Sequence, residues 1–129
     1  MDFKPLQFRQ LPGDFMICRL PVDSPLPPLA PTDWLISVTR TVDELSIVCS
    51  CNQAPAAAMC EGPWKCFKLR GPFPFSLTGV LASFIDPLAV NGVPIFAIST
   101  FETDYVLVKE ADAAKALRTL EAAGHELIA

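Results

Sequence analysis

The sequence carries one histidine, one tyrosine and six glycines in 129 residues. A lone histidine, His125, leaves no His cluster for a metal centre, and no Cys–His pair can be read. Beside Glu126 it reads as a surface or cap residue rather than a base. So few glycines form no phosphate-cradling loop and no nucleophile elbow, and the carboxylates are scattered. These absences point away from catalysis, and no cofactor is expected.

Long apolar runs are missing too. A membrane helix needs about 18 uninterrupted apolar residues. The richest window, Leu77 to Thr100, is broken by Asp86, Pro87, Asn91, Gly92 and Pro94. The opening Met1-Asp2-Phe3-Lys4-Pro5 lacks the basic segment and apolar run of a signal peptide, so a cytoplasmic protein is expected. Positive charge is scarce, with 10 Lys+Arg against 14 Asp+Glu and a net charge of −4. That balance excludes nucleic acid and anionic membrane as main partners. The cysteines, Cys18, Cys49, Cys51, Cys60 and Cys66, are odd in number and suggest reduced thiols. Their spacing, one residue in the first pair and five between Cys60 and Cys66, misses the two-to-four of structural zinc sites. They read as small buried hydrophobes.

What is abundant is apolar material, 51% of residues, enough for one domain or two very small ones with some surplus to face a partner subunit. Leu6–Leu11 and Phe15–Leu20 read as strands joined by Pro12-Gly13-Asp14, a hairpin. Pro21, Pro25, Pro27, Pro28 and Pro31 forbid a long helix or central strand. Pro25-Leu26-Pro27-Pro28 also fits a PxxP docking motif, against the plainer reading of a fixed surface connection. A helical turn capped by Thr32 or Asp33 and anchored by Trp34 can follow. Trp34–Arg40 and Leu45–Cys49 are strands around a turn at Thr41–Glu44, and Ala54–Cys60 reads as a short helix stopped by Glu61-Gly62-Pro63.

Trp64–Leu69 alternates as a strand. Leu77, Val80, Leu81, Phe84, Ile85 and Leu88 then form a full helical stripe, capped by Ser76 or Thr78, ended by Asn91-Gly92 and kinked at Pro87. Val93–Thr100 and Tyr105–Val108 are strands. Ala111–Ala123 is a helix with Ala114, Leu117 and Leu120 inward, and Glu126–Ile128 is a last strand. From Trp64 onward the order strand, helix, strand, strand, helix, strand predicts an α+β, ferredoxin-like unit (βαββαβ), an antiparallel sheet with both helices on one face. The first half reads as a degraded copy. The expected division is 1–62 and 63–129.

The runs Phe75-Ser76-Leu77-Thr78-Gly79-Val80-Leu81-Ala82, Pro87-Leu88-Ala89, Gly92–Thr100, Thr103–Val108 and Glu110–Leu117 resemble the ACT domain, over about half the chain, Trp64 to Ile128. The likeness is to the ACT domains that end bacterial aspartokinases and to those of animal arginine sensors. The whole chain is similar to small bacterial proteins made of two ACT-like units, and a module without the kinase domain of the aspartokinases is expected. The resemblance implies allosteric regulation by a bound amino acid, held at an interface between ACT units, and no catalysis by the module.

A free amino acid presents a carboxylate and an ammonium. Ser76, Leu77, Thr78, Gly79 and Val80 open the helix and offer backbone N–H groups to the carboxylate. Gly79 permits close approach, or alternatively tight helix–sheet contact. Ile95, Phe96, Ala97, Ile98, Ser99 and Thr100 offer carbonyls to the ammonium or pair with an equivalent strand, and Ser99 and Thr100 either donate to the ligand or close a turn. Asp104 meets a cationic group or bonds its own turn. Phe73, Phe75 and Phe96 line a pocket or, for Phe96 above all, fill the core. The expected partners are a free amino acid and a second copy in a homodimer. The competing reading is a ligand-free interaction module.

Overall fold

A computed structural model describes residues 5–56 and 58–129, so the expectation for the first four residues and the part of Ala54–Cys60 at position 57 lie outside the described residues. The chain divides by contact into two units. One, the helical unit, holds residues 5–11 and 65–129; the other, the proline-rich unit, holds 12–64.

The helical unit has β1 (Gln7–Gln10), the second part of β5 (Met59–Leu69), α1 (Val80–Val90), β6 (Ile95–Ser99), β7 (Asp104–Lys109), α2 (Ala113–Ala122) and β8 (Glu126–Leu127). The predicted strand–helix–strand–strand–helix–strand order is therefore present. Its strands lie in the order β8-β1-β5-β7-β6. The inserted β1 is antiparallel to β5, with Phe8 opposite Leu69, and parallel to β8, with Phe8 opposite Leu127.

This corrects the expected hairpin, because β1 pairs with β5 and β8 rather than with Phe15–Leu20. Phe8 gives the reason. It is fully buried, edge-to-face with Phe67 at 5.5 Å and with Phe84 at 5.1 Å. Burying a ring of this size stabilises by roughly 1.5–3 kcal/mol, more than a local turn offers.

Alternation sets which side is the core. Phe67 and Leu69 on β5 and Val106 and Val108 on β7 share a cluster with Phe84 and Leu88 of α1 and with Ala116 and Leu120 of α2. Both helices thus cover one face. The α2 stripe is Ala113, Ala116, Leu117 and Leu120 rather than one through Ala114, which is exposed. The α1 stripe starts at Val80, because Leu77 precedes the helix and is exposed. Gly92, at φ 72°, closes α1 as predicted, and the Val93 N–H donates to the Leu88 carbonyl at 2.9 Å.

Pro87 stands inside α1 and has no N–H for the carbonyl one turn earlier, that of Ser83. His125 supplies the missing donor. Its Nε2 lies 2.9 Å from the Ser83 oxygen, while its Nδ1 accepts the Leu6 N–H at 3.1 Å. The Leu6 donor makes Nδ1 an acceptor, so the proton sits on Nε2. His125 is 3% exposed, a buried clamp between β1's leading residue and α1, not the surface or cap residue expected.

The proline-rich unit has β2 (Phe15–Leu20), β3 (Ser37–Arg40), β4 (Leu45–Ser50) and the first part of β5, in the order β3-β4-β2-β5, all antiparallel. Among the described residues it has no α-helix. The expected short helix at Ala54–Cys60 is replaced by a 3-10 turn at Cys51–Gln53 and by the start of β5, which runs on through Glu61-Gly62-Pro63. Pro21–Pro31 forms no helix or strand, as its missing donors require. Arg40 ties this loop down, its guanidinium donating to the carbonyls of Val22 and Ser24. Asp33 caps no helix. Its carboxylate accepts from the Ser50 N–H at 2.9 Å, from the Ser50 hydroxyl and from Gln53 Nε2 at 3.0 Å. Trp34 is no anchor either, since it is exposed and the neighbouring Leu35 is buried instead.

The cysteines also depart from the expectation of reduced thiols. Cys18 and Cys60 are directly opposite on β2 and β5 and form a disulfide. Cys49 and Cys66 are buried as expected, and burial pushes the Cys66 thiol from 9.0 up to about 12.

Candidate functional site

The register of β6 on β7 brings the site together. Ile95 pairs with Val108, Ala97 with Val106 and Ser99 with Asp104. Val106 and Val108 face the helices, so Asp104, two residues before Val106, falls on the same face. It sits at the strand end, where the start of α1 lies across from it.

Between them is a cavity of about 330 Å³. Leu77, Gly79, Val80, Ser99, Thr100 and Asp104 line it, all among the residues singled out from the sequence. Thr78 lines instead a neighbouring cavity of about 950 Å³, where the polar walls are Arg70, Gln7 and Glu126. Ser76 is exposed and lines neither. Ile95 packs on the helix-covered core, and Ala97 is exposed. Phe96 and Ile98, one residue out of step, lie half-buried on the opposite face. The strand Ile95–Ile98 therefore frames the site without lining this cavity.

The polar groups are held in fixed positions. The Ser99 hydroxyl donates to Asp104 Oδ1 at 2.5 Å. The Thr100 N–H donates to the Thr103 carbonyl at 2.8 Å, closing the turn. Thr103 is buried and its hydroxyl donates to the Leu69 carbonyl at 2.8 Å. The loop before α1 is fastened to this turn, because the Phe73 N–H donates to the Glu102 carbonyl at 3.0 Å. Gly71 permits the approach, since a Cβ there would stand 2.7 Å from that same carbonyl oxygen.

On the other wall, Gly79 is the N-cap of α1 at φ 77°, with no side-chain cap and no acidic residue in the first turn. The expected caps Ser76 and Thr78 do not act as such. The Ser83 N–H is satisfied by the Gly79 carbonyl at 2.9 Å, so the first-turn N–H groups of Val80, Leu81 and Ala82 are those without an earlier carbonyl in the helix. The cavity thus has a positive helix end on one side and a carboxylate on the other, complementary to a zwitterion.

Phe75 and Phe101 stand at the rim, edge-to-face at 5.1 Å and 77% and 80% exposed. Phe101, Glu102 and Thr103 were missed as lining residues. Their signal was the turn itself, which carries exposed apolar and acidic residues between two strands.

The model of the ACT domain matches residues 60–122, and a model of an N-terminal domain matches residues 13–57. A protein from Agrobacterium tumefaciens, known from its crystal structure, is 40% identical over 97% of this chain and 93% of its own, with a TM-score of 0.90. The aspartate kinase of Clostridium acetobutylicum is 12% identical over 87% of this chain and 33% of its own, with a TM-score of 0.65. The ligand-free regulatory subunit of aspartate kinase from Thermus thermophilus is 13% identical over 86% of this chain and 93% of its own, with a TM-score of 0.59. The last two likenesses are of fold. With its ferredoxin-like helical unit matched by that domain model, the chain belongs to the ACT-domain family.

Proposed function

We propose that this protein is a non-catalytic regulatory module that binds a free amino acid in the cavity between the start of α1 and the Ser99–Asp104 turn. ACT domains are regulatory, ligand-binding modules, and the helical unit is one of them. The observation that carries the reading is the pairing of an uncapped helix N-terminus with the Asp104 carboxylate across one cavity. The N–H groups of Val80 to Ala82 take the ligand carboxylate, and Asp104 takes the ammonium. Gly79 lets the ligand approach the backbone, with open space where a Cβ would be. In this reading the module works in the cytoplasm as a homodimer. An ACT unit of a second copy closes the rim at Phe75 and Phe101, and ligand binding shifts that association.

A thermal-shift panel of the common amino acids, with the oligomer measured by light scattering, tests the proposal. A ligand at a hundred times its Kd stabilises the fold by about 2.7 kcal/mol, or several degrees. One amino acid or one chemical class moving the midpoint, with the shift lost in Asp104→Asn, is the expected result. A flat panel from a stable dimer supports the second reading, a ligand-free pairing module. The exposed Phe75–Phe101 pair is the observation that favours it.

A further inference from the structure

We propose that Cys18 and Cys60 form a reversible thiol–disulfide site that makes the stability of the proline-rich unit respond to the redox state of its surroundings. Three observations carry this. First, the antiparallel register sets the two residues directly opposite on neighbouring strands, where their side chains project from the same face. Second, the two differ in access. Cys18 is 1% exposed, whereas Cys60 is exposed near the start of β5. Of these two, Cys60 is the one that meets a reagent from solution, and Cys18, directly opposite, is placed to resolve the product; Cys51 is exposed as well but is not in that register. Third, the other buried thiols are poor competitors. Burial raises both Cys49 and Cys66, which lowers their thiolate fraction, and both are shielded from solvent.

The chemistry balances with a low-molecular-weight disulfide, such as oxidised glutathione, as oxidant. The Cys60 thiol gives its proton to water, and the thiolate attacks one sulfur of the reagent. A mixed disulfide forms and one thiolate leaves. The Cys18 thiolate, its proton also lost to water, then attacks the Cys60 sulfur and displaces the second. Two protein thiols are oxidised and one small disulfide is reduced to two thiols. Small thiols in excess run the sequence backwards by attacking at the exposed Cys60 sulfur. The cross-link joins residues 42 apart, so it restricts the unfolded chain and stabilises the folded unit. In a reducing compartment such a bond is formed and broken as a signal rather than kept as a permanent brace.

The test uses the full chain equilibrated at a series of reduced-to-oxidised glutathione ratios, trapped by alkylation and mapped by mass spectrometry. Cys18 and Cys60 are expected to lose alkylation together as the buffer becomes oxidising and to regain it with dithiothreitol. The thermal midpoint is expected to rise with oxidation by roughly 5 °C or more in the unmodified chain and in Cys51→Ser. It should not move in Cys60→Ser, an exposed substitution that leaves the core intact. The mixed disulfide should be captured on Cys60 in Cys18→Ser. Cys18 and Cys60 remaining alkylatable at every glutathione ratio would overturn the proposal. So would a cross-link that maps to another pair, or a midpoint that shifts equally in Cys60→Ser.

Discussion

The two units contain antiparallel strands of similar character but solve the problem of covering them differently. In the helical unit, α1 and α2 lie over β1, β5 and β7 and bury Phe8, Phe67, Phe84, Leu88, Val106 and Leu120. In the proline-rich unit no α-helix is found among the described residues. Leu20, Leu45, Ile47 and Cys49 are covered in part by Leu29 from the proline loop and by Ala58. Prolines explain the difference. Five of them between positions 21 and 31 remove the backbone donors a helix would need, and the loop is held by side chains, Arg40 and Asp33, instead. A disulfide adds a covalent tie there. The helical unit tolerates one helix proline, Pro87, only because His125 donates to the carbonyl that Pro87 leaves open. A unit that keeps its helix keeps a helix N-terminus, and with it the candidate site.

The contrast can be broken most forcefully in the core. Phe84→Ala should cost about 3–5 kcal/mol in denaturant unfolding, because it empties a ring-sized space in contact with Phe8. Leu45→Ala in the proline-rich unit should cost less, and equal losses would break the contrast. His125→Ala comes next, at about 2–4 kcal/mol, since it strands the Leu6 N–H and the Ser83 carbonyl. Adding Pro87→Ala restores an N–H for the Ser83 carbonyl. The double variant should therefore lose about 1 kcal/mol less than the sum of the single changes, and strict additivity would refute the proline–histidine account.

Smaller effects sharpen the picture at the site. Asp104→Ala should weaken the ligand found by the thermal panel about tenfold or more, equal to about 1.4 kcal/mol, measured by calorimetry. Gly79→Ala and Gly13→Ala, one in each unit, both have φ near +80° and open space around a new Cβ. Each should cost about 1 kcal/mol from backbone strain alone, and only Gly79→Ala should also lower ligand affinity. At neutral pH the smallest effect is that of Cys66. Its folded thiol is pushed up to about 12 from 9.0, so above pH 9 the unfolded chain releases a proton that the folded chain keeps. Stability should therefore fall as pH rises from 9 towards 12, and Cys66→Ala should flatten that slope.

Periodicity made α1 and α2 legible, because a helix that buries one face must repeat its apolar residues every three or four positions. The Gly92 stop, the Thr41–Glu44 turn and the proline loop were legible for the same kind of reason, a backbone constraint written in one or two residue types. Six of the proposed site residues share a cavity because they sit at element ends that short-range pattern already marked.

Pairing was a different matter. Nothing local tells Leu6–Leu11 to leave Phe15–Leu20 and lie between β5 and β8, since that choice depends on burying Phe8 against rings from positions 67 and 84. The roles of His125 and of the Cys18–Cys60 pair were hidden for the same reason, their partners being 119, 42 and 42 positions away. The sequence by itself determined the elements with an internal period and the breaks between them. Only the tertiary structure decided strand partners, which thiols meet and which histidine nitrogen holds the proton, because each of those rests on contacts between residues far apart along the chain.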